Sequence, residues 1–140
     1  MSGWYVLPDR DLAGIRPGAD SGRALLYFHR QIDELAAQLE LPALSDFFCP
    51  DRAELFAYLR EQGVAPDEEA LPEEEWFDAK DGLLTVRGLL ARLREDSSGI
   101  PSPATVISDL EEIERGLDLA EAEGVRFHLA RKLPLGRELP

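Results

Sequence analysis

The chain has 140 residues, 44% of them apolar and eleven of them aromatic, which fits one domain built on one core and excludes a disordered acidic chain. Fifteen Lys and Arg against 28 Asp and Glu leave a formal net charge of −13, so direct nucleic-acid binding, which depends on cations displacing counterions from phosphate, is not expected. No stretch approaches the roughly 20 uninterrupted apolar residues of a membrane span, and with neither a basic start nor a long apolar run at the N-terminus and a single cysteine, Cys49, a cytoplasmic location is expected.

Trp4 to Leu7, rich in aromatic and branched side chains, reads as a first strand. From Ser21 to Leu41 the apolar residues Leu25, Phe28, Ile32, Leu35 and Leu39 step by three and four, the spacing of one helix face; Asp20 or Ser21 can cap it and Pro42 forbids its continuation. Asp51 with Glu54 resembles a capping box and opens a short second helix, with Leu55, Phe56 and Leu59 on one side and Gly63 as its stop.

Glu61 to Asp81 holds nine carboxylates against one lysine, net −8 of the chain's −13. Pro66 and Pro72 interrupt it and no periodicity runs through it, so it reads as a surface loop anchored at its end by Trp76 and Phe77. A third helix is expected from about Asp81 to Glu95, with Leu83, Val86, Leu90 and Leu93 on one face, Arg87, Arg92 and Arg94 off it, and Gly88 marking a close crossing of another element.

Ser102 as N-cap and Pro103 at the first helical position begin a fourth helix. Val106, Leu110, Ile113, Leu117 and Ala120 are expected inside it, Asp109, Glu111, Glu112, Asp118 and Glu121 outside, and Gly124 closes it. Val125, Phe127 and Leu129 then alternate with Arg126, His128 and Ala130, the period of a half-buried strand that leaves His128 exposed. A lone strand cannot satisfy its backbone, so the two terminal strands are expected to pair. The fold class is therefore mainly α (α+β): a four-helix single domain over residues 1–133 with a small two-stranded element, and residues 134–140 as a flexible tail.

No phosphate loop, dinucleotide fingerprint or nucleophile elbow is present. The acidic segment lacks the alternate-position ligands, central glycine and closing glutamate of a calcium loop, so no metal site and no cofactor are expected. The candidate binding surface is acidic and aromatic: Glu68, Glu69, Glu73, Glu74, Glu75, Trp76, Phe77, Asp78 and Asp81, suited to a basic protein partner. A DNA mimic that occupies the basic groove of another protein is a special case of it. The alternative is a small metal- or ligand-dependent enzyme. Its carboxylate/His site would draw on His29 and Asp33, four apart on the first helix, and on His128. Cys49, between Phe48 and Pro50, lies in no nucleophile pattern and reads as a core thiol; a homodimer is compatible with the apolar faces.

Overall fold

The computed structural model describes residues 4–10, 12, 22–49, 52–64 and 75–131, with the side chains of 52–54 and 131 left out of the description. Its elements run β1 (Trp4–Pro8), α1 (Arg23–Tyr27), α2 (His29–Gln38), a 3₁₀ turn (Leu44–Phe47), α3 (Arg52–Glu61), α4 (Ala79–Glu95), α5 (Pro103–Ala122) and β2 (Phe127–Arg131). This is a mainly helical α+β arrangement, and the terminal strands do pair. β1 and β2 run antiparallel with Trp4 opposite Arg131, Val6 opposite Leu129 and Pro8 opposite Phe127. Residues 134–140 lie outside the described residues, as do Asp20, Ser21 and Asp51.

One core joins the layers. Val6, Phe127 and Leu129 from the sheet meet Leu25, Ile32, Leu83, Val86, Leu89, Leu110, Ile113 and Leu117 from the helices. Each of these leucines or isoleucines contributes about 1.5–3 kcal/mol when fully buried, before the entropy of ordering it. α4 and α5 supply the longest shared helix contact, and two glycines let the layers close on it. A Cβ at Gly82 of α4 would stand 2.5 Å from the Phe127 ring, and one at Gly116 of α5 would stand 3.2 Å from Val6. The close crossing expected at Gly88 is present: a Cβ there would stand 2.4 Å from the Leu41 side chain.

The helix expected from Ser21 to Leu41 is two helices. Phe28, at φ −111° and ψ 21°, leaves the helical well between α1 and α2, and the His29 ring Nδ1 bonds the Leu26 carbonyl there at 2.9 Å. A side chain that inserts at a ladder carbonyl is a recognised cause of such a break. The cap also differs. Gly22 takes the N-cap position at φ +93°, where a Cβ would collide with the Trp4 carbonyl oxygen at 1.9 Å. A carboxylate reaches these amides from 85 residues away: Asp109 of α5 accepts the Ala24 amide at 2.9 Å. Asp109 was expected outside and is 7% exposed, because it faces the N-terminus of α1 rather than water.

Three helices end alike. In α2, α3 and α5 the amide two residues past the C-cap reaches back to the third residue from the helix end: Leu41 to Ala36, Val64 to Leu59 and Val125 to Ala120. Gly63 and Gly124 take the left-handed position in two of them, whereas α2 uses Glu40 at φ +58°. α4 starts at Ala79, two residues before the expected Asp81. It closes on a turn in which Asp96 Oδ1 accepts from the Ser98 hydroxyl and amide; these bonds, with Arg92 nearby, hold the Asp96 carboxyl below its usual range. Ser102 does precede Pro103 at the start of α5, but in a left-handed conformation with no side-chain cap.

Three substitutions check this account. Asp109→Ala strands a buried amide and is expected to lower the unfolding free energy by about 1–3 kcal/mol in a denaturant titration. Gly82→Ala is expected to cost a further-reaching overpacking of about 1–3 kcal/mol against the rigid Phe127 ring. Gly88→Ala should be much milder, because the end of the half-buried Leu41 side chain can rotate and alanine regains about 1 kcal/mol of helix propensity.

Candidate functional site

The described part of the acidic and aromatic surface is Glu75, Trp76, Phe77, Asp78 and Asp81; Glu68, Glu69, Glu73 and Glu74 lie outside the described residues. The chain from Glu75 to Phe77 lies along the edge of β2 that β1 leaves open. Phe77 and Phe127 exchange both backbone hydrogen bonds, at 2.8 and 2.9 Å. The Phe77 ring meets Phe47 edge-on at 5.4 Å, and Phe127 in turn stacks on Phe47 at 5.7 Å. Phe77 therefore anchors the segment to the core, as expected.

Trp76 anchors it to the opposite face of the strand, where it stacks on His128 at 4.2 Å between ring centroids with 23° between planes. His128 is fully buried, which corrects the expected exposure. Alternation along β2 does carry His128 away from Phe127 and Leu129, but the segment at 75–77 covers that second face as well. Its Nδ1 lies 3.0 Å from the Glu75 carbonyl oxygen; since a carbonyl only accepts, Nδ1 carries the proton. Nε2 has no hydrogen-bond partner among the described residues. Stacking and one good hydrogen bond hold the ring, and the open Nε2 costs part of that gain.

Cys49 completes the junction. Its amide donates to the Leu129 carbonyl at 3.0 Å and its Sγ accepts the Glu75 amide at 3.3 Å. The thiol is buried, as expected, and takes part in no disulfide. Glu75 is thus held through both its amide and its carbonyl while its carboxylate remains exposed. Asp78 and Asp81 follow as the N-cap and a first-turn residue of α4, both exposed, where the helix dipole favours negative charge.

The acidic face of α5 is different in kind. Glu114 and Asp118 pair with Arg87 at 3.2 and 3.3 Å, Glu111 pairs with Arg94 at 2.9 Å, and Glu112 pairs with Arg115. Pairs this exposed contribute about 0–1 kcal/mol each to stability, but their three arginines offset most of the charge of the four carboxylates.

The residues of the alternative site are not brought together. His29 is exposed, bonds the Leu26 carbonyl and lies 6.0 Å from the Trp4 ring. Asp33 accepts the amide and hydroxyl of Ser45, which ties α2 to the 3₁₀ turn. The four-residue spacing of His29 and Asp33 therefore places each beside a different partner. Trp4 belongs with Val6 and Leu129 to the core face of the sheet, and His128 belongs to the other. Among the described residues no group of three or more His, Cys, Asp or Glu is arranged to hold a metal ion.

The junction of Cys49, Glu75 and His128 has no signal in the sequence, because the residues are 26 and 53 positions apart and meet at the Glu75 backbone, whose atoms carry no residue identity. Trp76→Ala is expected to lower stability by about 1–3 kcal/mol, less than a fully buried tryptophan would, and to raise hydrogen exchange at the Phe77 and Phe127 amides more than at β1 amides. No protein-family model matches the chain, and comparison with characterised proteins and with solved structures yields no match either.

Proposed function

We propose that the chain is a non-catalytic interaction or regulatory module that binds a basic protein partner through the acidic and aromatic surface at the start of α4. The observation that carries this reading is the contrast between two acidic regions. On α5, Glu111, Glu112, Glu114 and Asp118 are paired with arginines from α4 and α5, whereas Glu75, Asp78 and Asp81 are exposed at the end of a segment with nine carboxylates and one lysine. A concentrated like-charge surface of this kind steers an oppositely charged partner and accelerates association.

The anchoring supports the same reading. Phe77 and Trp76 fix the backbone at residues 75–77, so the exposed carboxylates of Glu75, Asp78 and Asp81 start from an ordered position and less freedom is lost on docking. We take the module to work in the cytoplasm, on the chain's single cysteine, since small secreted domains commonly carry a disulfide framework. Among the described residues no helix is long and apolar enough to cross a membrane.

The test is a matched pull-down with three baits: the natural chain, a variant with Glu73, Glu74 and Glu75 changed to Lys, and a control with Glu111 and Glu112 changed to Lys. A basic protein captured by the first and third baits, lost from the second and released by high salt, is the expected result. Capture that survives reversal of the three glutamates removes the surface from consideration; an added polyanion that displaces the captured protein identifies the DNA-mimic case.

A further inference from the structure

A second surface lies on the outer side of α4, apart from the junction at β2. An open groove of about 530 Å³ has an apolar floor of Leu41, Leu83, Leu84 and Gly88. Leu84 is 60% exposed, the most exposed leucine among the described residues. Gly88 contributes to the floor because it has no side chain to fill the space over Leu41.

The rim carries charges of both signs. Lys80 stands one turn before Leu84 on α4, and Glu121 stands near the end of α5. Among the described residues neither makes an ion pair, whereas the third charged lining residue, Arg87, is already paired with Glu114 and Asp118. An apolar floor flanked by one unpaired cation and one unpaired anion is self-complementary. Under a two-fold axis, a contact of residue i with residue j is repeated as j with i.

We propose that this groove is the contact between two copies of the chain, in which Leu84 of each copy seats on the floor of the other. Lys80 of each copy then faces Glu121 of its partner, and both rim charges are matched twice. A basic partner does not fit here, since Lys80 and Arg87 lie on the rim. A purely acidic one leaves Glu121 opposed. A second copy matches both signs. The net charge of −13 on each copy opposes association, most strongly at low ionic strength.

Sedimentation equilibrium over low micromolar to several hundred micromolar chain tests this. The natural chain is expected to move from the monomer mass of 15.6 kDa towards twice that value. Leu84→Glu, Lys80→Glu and Glu121→Lys, all at exposed positions, are each expected to remain monomeric with unchanged helical content. The double variant Lys80→Glu with Glu121→Lys is expected to dimerise again. A natural chain that stays monomeric throughout overturns the proposal, as does a dimer that ignores the single changes or a charge swap that restores nothing.

Discussion

The backbone of β2 is the constraint on which the other parts depend. A strand of five residues exposes polar groups along two edges, and an isolated pair of strands is marginal in water. β1 satisfies one edge. The other is met by pieces that are not strands, the Cys49 amide on Leu129 and the Phe77 backbone on Phe127. Four distant parts of the chain are thereby tied to one five-residue segment: the N-terminus, the 3₁₀ turn, the end of the acidic segment and, through Phe127 beneath Gly82, the α4 helix. Phe127 is fully buried because it stands where these parts converge.

This arrangement explains why the helices carry so many long-range dependencies. α1 is only five residues long, too short to persist by itself, and it is held by its packing on α5 and by the Asp109 carboxylate at its first amides. Gly116 of α5 lies against Val6, so the same helix that caps α1 also supports the sheet. The α4–α5 pair is consequently the frame, and the smaller elements are fitted to it.

Periodicity made the helical faces and both strands legible, because burial repeats at 3.6 or 2 residues irrespective of what lies opposite. Leu83, Val86, Leu90 and Leu93 are buried as their spacing implies. What the spacing could not carry is the identity of a partner. Asp109 lies among acidic neighbours on α5 and differs from them only in facing the amides of α1. His128 obeys the alternation that turns it from Phe127, yet it is buried because Trp76 arrives from 52 positions earlier. The break at Phe28 was hidden for the reverse reason: apolar spacing continues through it, and the disruption comes from a polar ring one residue later. At the candidate surface, the charge of the segment and the anchoring aromatics were readable, while the clamp on the Glu75 backbone was not.

The two acidic regions show how equal composition can serve unequal ends. On α5 the carboxylates of Glu111, Glu114 and Asp118 stand one helix away from Arg94 and Arg87, and the field of each is weakened by a cation within a few ångströms. At the start of α4 the carboxylates of Asp78 and Asp81 favour the helix dipole, which stabilises them without a neutralising cation, so their field still extends into solvent. Screening limits its reach to about 8–10 Å at moderate ionic strength, the range over which an approaching basic surface is oriented. Trp76, which stacks on His128, stands two residues before Asp78 in the chain. It ties the backbone that leads into α4 to β2 and the core, where a loop without such an anchor would yield.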